Sequence, residues 1–191
     1  MASSFSRPSA DFNDFWGEIA PSEHIAQFYE DDTVLIDTLT GFVGGGLNAG
    51  ESTIIIATPP HLKLLERRLV NTNVDLVGAI LEDRYIALDA EAALASFMVK
   101  GWPDDERFAS LVGQLLERAT VKNRRVRAFG EMVALLWARG DTAATVRLEH
   151  LWNRVCQSRS FSLFCAYPKA GCTREPQASL DEICAAHSRV I

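Results

Sequence analysis

A three-layer α/β/α fold around a mostly parallel central sheet is what this sequence predicts, and three observations predict it. Five apolar runs have strand length and are apolar on both faces, as strands buried inside a parallel sheet are. Amphipathic helical patterns fill the intervals between them, and the two kinds of segment alternate from residue 24 to residue 168, the signature of βαβ connections.

The elements follow in order. HIAQFY, STIIIAT, RYIALDA, RVRAFG and FSLFCAYP are the five strands. TVLIDTLTGFV is a helical pattern between the first two, and ATPPHLKLLERRL starts another, with Thr58 placed to cap it and proline in its first turn. In DDERFASLVGQLLERA the residues Phe108, Leu111, Val112, Leu115, Leu116 and Ala119 form one stripe. A second stripe runs through Ala144, Leu148, Leu151, Trp152 and Val155, with Asp141 as its N-cap. Residues 1–21 read as an arm, a loose tail followed by a short helix with Phe12, Phe15, Trp16 and Ile19 on one face, which docks on the parent domain or on a partner. Residues 22–191 form the domain itself.

Composition narrows the function classes. With 48% hydrophobic and 23% charged residues the chain is globular, and a net charge of −6 disfavours nucleic acid and anionic membranes as partners. The basic run KNRRVR, residues 122–127, reads as a solvated loop. No run approaches the roughly 18 apolar residues of a membrane span, the N-terminus lacks signal-peptide character, and the setting expected is cytoplasmic. Four cysteines occur without a C-x-x-C pair, so neither a zinc finger nor a disulfide framework is expected, and Cys165 reads as a small core residue.

One stretch imitates a phosphate-binding loop. From Gly45 the chain reads G-x-x-x-x-G-E-S, with Glu51 where a P-loop has lysine. A P-loop joins a strand to a following helix, whereas this stretch joins a helix to a following strand, so it reads as a helix C-cap and tight turn with Glu51 facing solvent. The position at which a strand does lead into a helix is Thr58, Pro59, Pro60 and His61, which contains no glycine and has two prolines without amide hydrogens.

Ligands of open α/β sheets sit beyond the carboxyl ends of the strands, which selects Glu30 to Asp32, Thr58 to His61, Asp89, and Gly130 with Glu131. The acids after the first strand also suit a helix cap. Arg127 lies within a strand and needs an acid, for which Asp89 and Glu131 are the partners named; it serves either a salt bridge or a ligand anchor. Glu131 is a structural or ligand-contacting acid, and Trp152 with Asn153 either joins the core or lines an apolar pocket with one polar handle. Glu30, His61, Asp89 and Glu131 are chemically able to hold a divalent ion, but spacing does not bring them together and no metal or other cofactor is expected. No nucleophile elbow or metalloprotease helix appears, so no catalytic residue is assigned.

HIAQFYEDD, GLNAGESTIIIATPPH, YIALDA, FMVKGWPDDERF, VRAFGEMVALLW, RLEHLWN and CAYP together resemble the successive motifs of the MEDS domain, a sensory domain named for methanogens, methylotrophs and the regulator DcmR. The resemblance covers about residues 22 to 190. It implies a bacterial or archaeal signal-input domain, similar in fold to the KaiC and RecA-like ATPase core, with the P-loop lost at Thr58 to His61. It adds ligand recognition as a role for His24, Tyr29 and Glu30. The implied protein is a non-enzymatic sensor or adaptor whose output passes through a histidine kinase, a transcription regulator or a homo-oligomer, with a small molecule as ligand. The alternatives are a nucleotide-binding protein or ATPase with an altered P-loop, and a pure interaction scaffold.

Overall fold

The structure is a computed structural model that describes Ile19, residues 22–169 and residues 177–191. In chain order the elements are β1 His24–Tyr29, α1 Asp32–Asn48, β2 Ser52–Ala57, α2 Pro59–Asn71, α3 Leu76–Leu81, β3 Tyr85–Asp89 and α4 Ala90–Phe97. A small hairpin follows, β4 Met98–Val99 with β5 Trp102–Pro103, and then α5 Asp105–Ala119, β6 Val126–Gly130, α6 Met132–Ala138 and α7 Thr142–Ser158. β7 Ser162–Pro168, α8 Gln177–Ala186 and β8 Arg189–Val190 complete the described chain.

Six strands form one sheet in the order β3-β2-β6-β7-β1-β8, and every pairing in it is parallel. The five expected strands are its first five members. Strand alternation splits the apolar residues between two cores. Ile25, Ile55, Phe129 and Phe164 face α1, α2 and α3, while Ala26, Ile54, Ile56, Ala128, Leu163 and Tyr167 face α4 to α8. This is the three-layer arrangement, and the apolar character of both strand faces follows from it. The predicted stripe of α5 is buried at Phe108, Val112, Leu115, Leu116 and Ala119, and that of α7 at Ala144, Leu148, Leu151 and Trp152. Ile19 is buried in the α1-side core, while Phe12, Phe15 and Trp16 lie outside the described residues.

The caps divide in an instructive way. Asp31 caps α1 by accepting from the amides of Thr33 and Val34, as the acidic triplet suggested. Asp141 and Thr58 occupy the N-cap positions of α7 and α2 but accept no capping bond through their side chains. KNRRVR is more than a solvated loop, because Arg124 donates to the carbonyls of Glu82 and Asp83 and Arg125 to that of Ile19.

The glycine stretch is indeed helix end and turn. Helix α1 runs through Gly44 to Gly46, and the reversal into β2 uses Ala49 and Gly50, the latter at φ +77°. An added Cβ at Gly50 meets no atom within 4 Å, so the residue is required only for its left-handed backbone. Gly50→Ala is therefore expected to cost about 1 kcal/mol with no change of packing, read as a lowered urea midpoint at constant m.

Candidate functional site

The connections leave β2 and β6 on opposite faces of the sheet, because α2 packs on one core and α6 on the other. These strands are neighbours, paired through Ile56 and Gly130, so the topology rule places a crevice at their carboxyl ends. Topology makes this the expected ligand edge. Glu131 closes it. Its amide donates to Ile56 O at 2.8 Å, and its carboxylate accepts from the Thr58 amide at 2.7 Å, from Thr58 Oγ1 at 3.3 Å and from His61 Nδ1 at 2.7 Å. His61 Nε2 lies 3.5 Å from Asp32 Oδ1, across the start of α1.

The hydrogen bond to Glu131 raises the His61 pKa above its ordinary value, against burial that lowers it, and Asp32 adds to the rise. Tyr29, at the end of β1, is pushed well above the ordinary phenol range by burial and then by the charges of Glu131 and Asp32. Asp32, Thr58, His61 and Glu131 thus form one acidic group held together by hydrogen bonds and ion pairs, and Tyr29 lies within reach of its charges. Two of the predicted ligand candidates at this edge do not join it. Glu30 is exposed at the rim and pairs with Lys169 at 3.1 Å. Asp89 is exposed at the end of the edge strand β3, where it caps α4 by accepting from the amides of Glu91 and Ala92.

Arg127 corrects the expectation in a different way. Its partner is Glu51, with Nε to Oε2 at 2.5 Å, and it also donates to Phe42 O at 3.1 Å; neither Asp89 nor Glu131 is involved. Arg127 is the second residue of β6 and therefore lies at the amino edge, across the sheet from the crevice. Glu51 does not face solvent: it is 6% exposed. Arg127 is a structural ion-pair residue on this geometry, with its guanidinium also 5.6 Å from the centroid of the Phe42 ring.

A second polar group lies inside the other core, and the sequence showed only parts of it. His24, at the start of β1, directs Nδ1 at Asn153 Oδ1, 2.9 Å, and Ala186 O, 3.1 Å. Its Nε2 faces Cys165 Sγ at 3.5 Å and Glu149 Oε2 at 3.4 Å. Glu149 also accepts from Tyr167 Oη and lies 3.5 Å from His187 Nε2. Burial acts to raise the Glu149 pKa, but the neighbouring His24, His187 and Tyr167 side chains outweigh it and leave Glu149 below the ordinary carboxylate range. Burial pushes the Cys165 thiol and the Tyr167 phenol far up and His187 down. His24 is therefore on the opposite face from Tyr29, and the two do not share a site. Asn153 belongs to the His24 group, whereas Trp152 is a core residue, edge-on to Phe108 at 5.0 Å and packed over Gly130.

Glu149 and His187 were not singled out, and Cys165, read as a small core residue, is buried as expected but also adjoins this polar group. The signal for Glu149 was present: a carboxylate four residues after Thr145 and three before Trp152, on the buried side of α7. Openings of about 450 Å³, along Val99, Trp102 and Arg147, and about 370 Å³, along Ala109, Leu151 and Arg154, lie at the start of α5 and touch neither polar group. No helix among the described residues is long and apolar enough to cross a membrane.

Comparison with known families gives a match of residues 23–188 to the model of MEDS, the methanogen/methylotroph, DcmR sensory domain. No curated protein matches the chain.

Proposed function

The chain belongs to the MEDS family, and from that premise we propose that it is a non-enzymatic sensory or adaptor protein of the bacterial cytoplasm. It binds an uncharged or cationic small molecule at the β2–β6 crevice and signals through a separate protein such as a histidine kinase or a transcription regulator. The observation that carries this reading is the 2.7 Å bond from the Thr58 amide to Glu131. At the strand-to-helix position where a nucleotide-binding protein presents free amides to phosphate, that amide is taken by a carboxylate of the protein, and Pro59 and Pro60 have none to offer. Asp32 and Glu131 would also repel an anion there.

Calorimetry of the full chain with a non-hydrolysable ATP analogue and Mg²⁺ tests the exclusion. No micromolar binding and no phosphate release from ATP are expected; micromolar binding that is lost in Glu131→Gln would overturn the reading. A thermal-shift panel of neutral and cationic metabolites tests the rest. A true ligand at a hundred times its Kd contributes about 2.7 kcal/mol, a rise in Tm of roughly 5 to 10 °C, and His61→Asn is expected to abolish that rise.

A further inference from the structure

We propose that His24, Glu149, Cys165 and His187 form a binding site for one divalent transition-metal ion of the zinc class. Four side chains from four places in the chain bring one ligand atom each to within 4.8 Å of all the others. They are the start of β1, the middle of α7, β7 and the turn between α8 and β8. Three of the six separations, 3.4 Å from His24 Nε2 to Glu149, 3.5 Å from His24 Nε2 to Cys165 and 3.9 Å from Cys165 to Glu149, are close to a tetrahedron's edges, and those to His187 are no more than 4.8 Å. With metal bonds of about 2.0 to 2.3 Å those edges measure about 3.3 to 3.8 Å, so rotations of the side chains complete the shell.

Tautomers make the argument specific. His24 Nδ1 faces two acceptors, Asn153 Oδ1 and Ala186 O, and must carry the proton. His187 Nδ1 faces Ile183 O at 2.6 Å and must carry one as well. In the neutral rings both Nε2 lone pairs then aim into the same space, which already contains the Glu149 carboxylate. The His187 side chain is fully buried and its Nε2 makes no hydrogen bond, although Glu149 Oε1 is 3.5 Å away. Three electron-rich atoms facing one another in a buried core need a positive charge between them. Ring nitrogens held in this way by carbonyl acceptors are also how metal-binding imidazoles are oriented, and Tyr167 holds the carboxylate as a further outer partner.

Two neutral imidazoles, a carboxylate and a thiolate give a charge of −2, which a divalent ion neutralises. Nitrogen and sulfur donors favour zinc over magnesium or calcium. Binding deprotonates the buried Cys165 thiol, and that proton leaves to solvent. Because His187 follows α8 and β8 pairs with β1, an ion here would fasten residues 177–191 to the sheet. The inference is independent of what the crevice binds.

Tag-free full chain, stripped with a chelator, is titrated with Co²⁺ alone and then with Zn²⁺. The expected result is one equivalent bound, visible absorption of four-coordinate cobalt, a thiolate-to-cobalt band in the near ultraviolet, and displacement of both by Zn²⁺. Cys165→Ser removes the thiolate band, and Asn153→Ala, which touches no metal, weakens binding by roughly 10 to 100-fold. Cys156 and Cys184 are also free thiols, so a thiolate band that survives in folded Cys165→Ser overturns the assignment. If that variant does not fold, Asn153→Ala and the wild-type titration decide. Failure of the wild type to take up one equivalent at micromolar metal overturns the proposal, and an imidazolium signal from His24 would then show a shared proton in the metal's place.

Discussion

Replacing Glu51 by alanine is expected to destabilise the protein by about 3 to 5 kcal/mol, a large share of a domain's whole stability. Arg127 causes the loss. Its side chain is 2% exposed, and Glu51→Ala removes the 2.5 Å ion pair from that buried guanidinium while the Phe42 carbonyl still accepts from it. It has no easy escape, because Gly46 leaves so little room that a Cβ there would stand 2.9 Å from Arg127 Cδ. Removing both charges is a different experiment. In Glu51→Leu with Arg127→Met neither desolvated charge remains, so the double variant is expected to be more stable than either single one. Urea unfolding of the four proteins in a double-mutant cycle measures this. An exposed pair such as Arg118 with Asp83 supplies the control, since surface bridges contribute about 0 to 1 kcal/mol. A Glu51→Ala loss within that smaller range would show that water reaches Arg127.

The same pair explains what was legible in the sequence. That Arg127 requires an acid followed from a charge inside an apolar strand, and this reading was right. Choosing Glu131 overlooked chain geometry: four residues along a strand span about 13 Å, so Arg127 and Glu131 stand at opposite edges of the sheet. Glu51 was assigned to solvent because it follows a tight turn, although the turn that ends at Gly50 delivers it to buried Arg127. The five long strands were readable because a parallel sheet covered on both sides makes each run continuously apolar. β8 was not, since two exposed residues carry no pattern and pair with β1 only because α8 brings them there. In the crevice, His61 and Glu131 were found because the strand-end rule needs only the order of elements. The His24 group escaped because the contacts of His24 join residues more than a hundred positions apart and those of Glu149 with Cys165, Tyr167 and His187 also cross between elements, and no local period records such meetings.

Glu131→Ala is expected to cost about 3 kcal/mol and to change how stability responds to pH. The alanine leaves the Thr58 amide and His61 Nδ1 without their acceptor at a buried edge. It also removes the main cause of the raised His61 pKa. A histidine whose pKa is higher folded than unfolded stabilises the folded state fully below the unfolded value of about 6.5, and loses that contribution as pH rises through the folded value. The gap in Tm between wild type and Glu131→Ala is therefore expected to be widest on the acid side of about pH 6.5 and to narrow above it. The part that survives at high pH belongs to the Thr58 bond, which does not titrate with His61. Hydrogen exchange separates the two. The Thr58 amide is expected to exchange slowly in wild type at both ends of the pH range and fast in the variant. A gap independent of pH, with Thr58 still protected, would mean that Glu131 is a spectator, and the crevice would then lack the carboxylate clamp on which its exclusion of phosphate depends.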